Sequence, residues 1–337
     1  MKPTNFANHL SQYLSIYLPG TAGLSTNTIA SRRDCFILLL QYLRDVKKIA
    51  PEKVEVPLLT PEFITEYLDW LELERRCSIS TRNLRLSALK AFFRYLQIQT
   101  PDYMKQCQQI AALPLKKQPE QGLEYLSLDG IKALLDFIPA NTKAGLRDLT
   151  LISILYDSAA RVQEIADLCI RDVRLNKPAT LRLTGKGQKT RIIPIMEPTA
   201  RLIESYLQKI HAASDNSNSP LFYNRSGSKL TRAGIAYVLS KYVNALHIAS
   251  PDLIPQTVSP HSMRHSKSVH MLSAGVPLIY IRDYLGHVEI STTEIYARCD
   301  TVQKRQAIEK ASSPVDSRET PSWHTDSSLM QWLSSLC

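Results

Sequence analysis

Ser259-Pro260-His261-Ser262-Met263-Arg264-His265 reads as the opening of a helix that carries two groups suited to one anion. Ser259 is a good N-cap, and Pro260 fits the first helical position, where a missing N–H removes no bond. His261 then lies in the first turn, among backbone amides that favour a phosphate, and Arg264 shares its face by the i, i+3 relation. Taken alone, a capped helix whose His and Arg meet solvent accounts for the same residues. A metal pair at His261 and His265 is the other competitor. The residues between them bring no HExxH glutamate and no local carboxylate, so no metal is expected. His265 and His270 read as packing or hydrogen-bonding side chains.

Downstream lie Leu285-Gly286-His287 and then Ser291-Thr292-Thr293-Glu294-Ile295-Tyr296. Upstream, Arg161 follows the apolar run Leu151-Ile152-Ser153-Ile154-Leu155-Tyr156 and the small residues Ser158-Ala159-Ala160, with Glu164 one turn on and suited to fix its guanidinium. Alone that is a structural ion pair; with a second arginine aimed at the same place it becomes half of a phosphate clamp, for which planar Arg is better matched than Lys. Lys186 stands between Gly185 and Gly187 at a hairpin tip, with Lys189 as the second candidate. GxxxxGK[ST] is absent, so no ATP is implied. A phenol can attack a DNA phosphate when fixed cations hold the phosphorane charge and the leaving oxygen receives a proton, and these residues supply all three requirements without a cofactor.

The rest of the chain supports a mainly α fold with a small β-hairpin. Leu181 and Leu183 alternate with Arg182 and Thr184, a turn follows at Gly185-Lys186-Gly187-Gln188, and Ile192, Ile193 and Ile195 form the returning strand. Helical patterns flank it at 127–137, 146–158, 231–246, 260–272, 277–285 and 301–311. The first hundred residues have almost no strand signal. Phe6, Leu10, Tyr13, Leu14, Tyr17 and Leu18 recur at helical spacing, Thr60-Pro61 opens a helix running to about Arg75, and another begins after Ser80. In that last helix Arg82, Arg85, Lys90 and Arg94 interleave with apolar residues, which fits either a solvated face or DNA contact. Pro114 and Pro119 mark a polar linker.

These boundaries predict a helical domain over 1–112, a linker over 113–124, a second domain over 125–311 and a tail over 312–337. The 337 residues suit two domains, and a net charge of +10 favours a polyanionic partner. Six cysteines without a CxxC pair fit a reducing cytoplasm. The N-terminus lacks an apolar h-region, and no stretch approaches the roughly 18 apolar residues of a membrane span.

Ala160-Arg161-Val162-Gln163-Glu164, Gly185-Lys186-Gly187, Pro260 through His265, and Leu285-Gly286-His287 through Tyr296 together resemble the tyrosine recombinase (phage integrase) family, most closely its compact Xer-like members. The resemblance implies a two-domain clamp on duplex DNA, made of a helical, SAM-like core-binding domain and a catalytic domain. It implies that Tyr296 is the nucleophile, forming a 3′-phosphotyrosyl bond and freeing a 5′-hydroxyl. Arg161 and Arg264 would hold the non-bridging oxygens, Lys186 would protonate the leaving oxygen, and His261 would assist proton transfer. His287 would bond the phosphate or order the site, and Glu164 would support it. Arg82, Arg85, Lys90 and Lys189 are the candidate DNA contacts.

The chain begins almost directly in the helical clamp, which suits a simple core-site mode without a separate arm-site domain. Leu329, Trp332, Leu333 and Leu336 form one apolar stripe near the C-terminus, on a helix too short to stand alone. The resemblance implies cyclic exchange of this helix among four protomers on paired DNA sites, with docking on its own domain as the alternative. The same residues also fit a DNA-binding or architectural protein of the same fold, and a relaxing enzyme like a type IB topoisomerase.

Overall fold

The structure is a computed structural model, and it describes residues 3–118, 125–211, 216–287, 289, 293 and 329–334. The chain divides into two compact units, 1–121 and 122–337.

In the first unit α1 (Asn5–Gln12) starts where the Thr4 hydroxyl accepts from the Ala7 amide at 3.2 Å. It continues directly into a π-helical segment, Tyr13–Thr21, that contains Pro19. Proline cannot donate, and its ring clashes with the carbonyl four residues back in a normal helix; the wider turn accommodates it. Next come α2 (Thr26–Asp45), α3 (Pro61–Leu73), α4 (Ile79–Gln99) and α5 (Met104–Ala112). Thr60 caps α3 with Pro61 in first position. The cap of α4 is Ser78, which accepts from Thr81 N, so the helix starts earlier than the expected position after Ser80. Phe92 centres the core, edge-on to Phe6, Tyr13 and Phe36 with ring centroids 5.9, 5.3 and 5.1 Å away.

Residues 113–118 form neither helix nor strand. Their exit from the unit is anchored: Asn83 donates to Lys116 O at 2.8 Å and accepts from Lys116 N at 3.1 Å, while the Lys116 ammonium pairs with Glu72.

The second unit begins with α6 (Leu128–Phe137), α7 (Lys143–Asp157) and the single-turn α8 (Val162–Ala166). An antiparallel sheet of order β1-β2-β3 follows, made of β1 (Val173–Arg174), β2 (Thr180–Thr184) and β3 (Thr190–Pro194). The hairpin of β2 and β3 is the expected one; β1 is an addition, being two residues long and too short to show alternation. Leu181 pairs with Ile193 and Leu183 with Arg191, so these four share the inward face, whereas Ile192 points out and is 69% exposed. Then come α9 (Glu197–Ile210), α10 (Arg232–Ala249), α11 (Pro260–Ser273), α12 (Leu278–Leu285) and a short helix, Leu329–Ser334.

Helix α7 is buried along most of its length, and its Leu151, Ile154 and Leu155 join Leu181, Leu183, Ile203, Leu239 and Met263 in one core. A smaller cluster, Ala159, Val269, Ile281 and Leu285, fixes α11 and α12 against the residues that follow α7. Tyr296 and the expected helix over 301–311 lie outside the described residues. Among the described residues no helix is long and apolar enough to cross a membrane.

Candidate active site

Four segments far apart in sequence supply the site. The first is the exit from α7. Ala159 is fully buried with φ of 47°, a left-handed turn that costs a side-chain-bearing residue about 1–2 kcal/mol. It reverses the chain so that Arg161 becomes the N-cap residue of α8. Glu164 then folds back, its Oε2 accepting from Arg161 N at 2.8 Å and its Oε1 from Arg161 Nη1 at 3.1 Å.

The second segment is the β2–β3 connection. Lys186 opens its 3-10 turn, Lys186–Gln188, and Lys189 precedes β3. Arg191, on the inward face of β3, grips Glu164 with both terminal nitrogens, Nη1 to Oε1 and Nη2 to Oε2, each at 2.8 Å. Its Nε donates to Tyr284 O at 3.0 Å. Burial alone would raise the Glu164 pKa, but the bonds and charges of Arg191 and Arg161 outweigh it and hold the carboxyl below the usual range. Arg191 stands in none of the motifs of the sequence. The available signal was strand alternation: buried Ile193 and Ile195 place position 191 on the same inward face.

The third segment is the start of α11, capped as expected by Ser259, whose hydroxyl accepts from Ser262 N at 3.1 Å. Arg264 is 1% exposed, and its Nη1 and Nη2 donate to Ala159 O and Leu285 O, both at 2.6 Å. It therefore ties the α7 exit to the end of α12 while placing a cation beneath the site. The His261 and His265 rings meet edge to face at 4.5 Å. Burial, then the charges of Arg264 and Arg161, hold His261 below the ordinary histidine range; burial, His261 and Arg264 hold His265 at about 4. His270 faces away, bonded through Nδ1 to Tyr156 at 2.9 Å.

The fourth segment ends α12. Gly286 takes the left-handed conformation, φ 64°, at the C-cap, and its carbonyl accepts from Arg161 Nη2 at 3.3 Å. His287 follows with Nδ1 2.9 Å from the Thr293 hydroxyl. Burial first, then Arg264, Arg161, Arg191 and His261, hold its pKa at about 4. These groups thus converge: three arginines and two neutral histidines, with Glu164 as the carboxylate partner of Arg161 and Arg191. Such a balance favours an incoming anion. A cavity of about 690 Å³ opens there, lined by Arg161, Gly185, Lys189, Arg191, Gly286 and His287. Beside it a groove of about 1040 Å³ runs past Arg161 and His261 to Lys229 and Arg232.

The remaining candidates belong to the first unit. Arg82 is 5% exposed, with Nε 3.7 Å from Glu72, so the structure places it inside the unit as part of the Lys116 anchor; the interleaving pattern did not mark an outward face there. Arg85 is half-buried and donates to Ser31 O at 3.3 Å. Lys90 is half-buried, and burial and Arg94 hold its ammonium below the usual lysine range. Among the described residues no group of three or more His, Cys, Asp or Glu could hold a metal ion.

Comparison with known proteins agrees with this architecture. Residues 124–302 match the phage integrase family, and residues 10–99 match the phage integrase N-terminal SAM-like domain. The chain is 31% identical over 314 residues to the "Putative integrase/recombinase y4rC" of Sinorhizobium fredii, covering 93% of this chain and 92% of that protein. It is 30% identical over 278 residues to the tyrosine recombinase XerD of Listeria monocytogenes, covering 81% and 88%. Among solved structures, the Tn1549 transposon integrase in complex with a circular intermediate DNA superposes with a TM-score of 0.67 at 20% identity, over 90% of this chain and 99% of that one. The XerH site-specific recombinase bound to its difH substrate gives 0.64 at 22% identity, over 84% and 79%. At these identities the structures speak for the fold.

Proposed function

Because the chain belongs to the phage integrase family of tyrosine recombinases, we propose that it is a site-specific recombinase that cuts and rejoins duplex DNA through a 3′-phosphotyrosine. The observation that supports this most is the convergence of Arg161, Arg264, Arg191 and His261 around His287, with Glu164 fixing two of the arginines.

In this reading Tyr296 Oη attacks the scissile phosphorus, and the P–O5′ bond breaks. Arg161 and Arg264 balance the charge on the non-bridging oxygens, and His287 bonds to the same phosphate. His261, kept neutral by its surroundings, takes the phenolic proton; Lys186 protonates the departing 5′-oxygen, with Lys189 as the second candidate. The phosphotyrosine keeps the bond energy, so a 5′-hydroxyl from another strand reverses the step and joins new DNA. Paired core sites, a clamp formed by the two units and a tetramer linked through the C-terminal helix complete the proposal, in a protein working in the cytoplasm.

The test is a nicked suicide duplex made from DNA flanking the gene. The wild-type protein should form a covalent band, and Tyr296→Phe should form none while binding the duplex within a few-fold. Binding without any adduct in the wild type would favour an architectural protein of the same fold. Relaxation of plasmid lacking a specific site would favour a topoisomerase-like enzyme.

A further inference from the structure

Glu164 is shared unequally between two arginines. Arg191 holds it bidentately at 2.8 Å on each oxygen and is 14% exposed, whereas Arg161 has one longer side-chain bond to it, 3.1 Å, and is 39% exposed. The second bond of Arg161, to Gly286 O, is 3.3 Å long. Arg191 also touches the remaining part of the site: its Nε bonds Tyr284 O, and its guanidinium and Cδ lie across Gly286, only 3.0–3.2 Å from where a β-carbon there would stand. One side chain thus joins β3, α8 and the end of α12, the elements beside which Lys189, Arg161 and His287 stand.

We infer that Arg191 is a positioning residue for the cutting step: it neutralises Glu164 so that Arg161 can pass to a phosphate, and it sets the approach of the Gly286-His287 segment. This rests on the reading that Arg161 receives the scissile phosphate. The physical reason is competition. A buried carboxylate with a single arginine draws that arginine into a full bidentate pair, and a phosphate would then have to break a buried ion pair before it could bind. With Arg191 already on both oxygens, Arg161 keeps only weaker bonds and remains available. A lysine at 191 would neutralise the charge without the planar two-point grip, so its effect should be intermediate.

The experiment compares Arg191→Gln, Arg191→Lys, and Arg191→Gln combined with Glu164→Gln in the full-length protein. Single-turnover adduct formation on the suicide duplex should fall about a hundredfold in Arg191→Gln, the order expected for a misplaced catalytic group. It should recover about tenfold or more in the double variant, where no carboxylate is left to capture Arg161. A purely structural Arg191 predicts the opposite order, because the double variant loses both partners of the pair. A second readout needs no cleavage: inorganic phosphate is titrated against the DNA-free protein and followed by the His287 ring resonances. Affinity should weaken in Arg191→Gln and return in the double variant, with Arg191→Lys between them. If Arg191→Gln does not fold, wild type, Glu164→Gln and Arg191→Lys still decide, because Arg191→Lys must then bind phosphate more weakly than wild type and regain affinity when Glu164→Gln is added. Adduct formation by the wild type without rescue in either assay overturns the role of Arg191 alone. Rescue of phosphate binding in a protein that never forms an adduct overturns the cutting chemistry and leaves Arg191 in place.

Discussion

Replacing Gly286 by alanine should destabilise the second unit by more than any backbone effect explains, and Gly275 provides the control. Both glycines have positive φ, 64° at Gly286 and 82° at Gly275, so each substitution forces a left-handed alanine, at roughly 1–2 kcal/mol. Around Gly275 nothing lies within 4 Å of a β-carbon, and Gly275→Ala should cost about that much and no more. At Gly286 a β-carbon would stand 3.0 Å from Arg191 Nη1 and 3.1 Å from Arg191 Cδ. Arg191 cannot retreat without loosening its two bonds to Glu164 and its bond to Tyr284 O. Overpacking of this kind adds roughly 1–3 kcal/mol, giving about 2–5 kcal/mol in total for Gly286→Ala. Urea denaturation of both variants, followed by a probe specific to the second unit, measures the difference. Equal midpoints for Gly275→Ala and Gly286→Ala would show that Arg191 does not lie across Gly286 in solution, and the account of the site would fail with it.

The stability of the second unit should depend on pH in the acid range. His265 and His287 are held at about 4 in the folded protein, against an ordinary value near 6.5, so the unfolded chain binds more protons between those values. Stability is then complete above about pH 6.5 and declines as pH falls toward 4; denaturation midpoints that stay flat over that window in wild type would contradict the burial of both rings. Tyr284 lies near the site, but its hydroxyl donates to Asp157 O and burial raises its pKa. Tyr284→Phe should therefore lower stability by about 1 kcal/mol and leave covalent attachment to DNA intact, as read on a denaturing gel. Duplex affinity should fall steeply between low and moderate salt, as counterion release requires, with the slope in a filter-binding or anisotropy titration becoming shallower in Arg232→Ala if the groove beside Arg161 carries a phosphate.

Most of the site's parts were readable in the sequence because each left a local mark. Ser259-Pro260 announces a helix start whatever surrounds it, and the spacing of His261 and Arg264 follows from helical geometry. Gly185 and Gly187 frame a turn. What escaped was decided by partners distant in the chain. Arg191 looks like one more surface cation until its strand is seen to pack against α8, because an inventory of apolar residues in β3 passes over an inward-facing charge. Arg82 is the converse case. Its neighbours suggest an outward-facing basic stripe, yet Glu72 on α3 draws it inside, where the same carboxylate also pairs with Lys116. Strand β1 has two residues and no periodicity to read, and the π-helical turn around Pro19 depends on packing of Tyr13 and Leu18 that composition does not encode. Tyr296, the nucleophile of the proposed reaction, lies outside the described residues; its mark in the sequence is the Leu285-Gly286-His287 run that ends nine residues before it.

The hydrogen bonds that close the site also set a schedule for its birth. Arg161 reaches Gly286 across 125 positions of the chain, and Arg264 reaches back across 105 to Ala159. At ordinary rates of translation, roughly 6–25 s pass between the emergence of Arg161 and that of Gly286. Throughout that interval the first unit's residues and Arg161 have already left the ribosome, while the acceptor carbonyls of Leu285 and Gly286 have not. A growing chain that has not yet released Leu285 and Gly286 lacks the carbonyls that Arg264 and Arg161 bond, and so it cannot close the site.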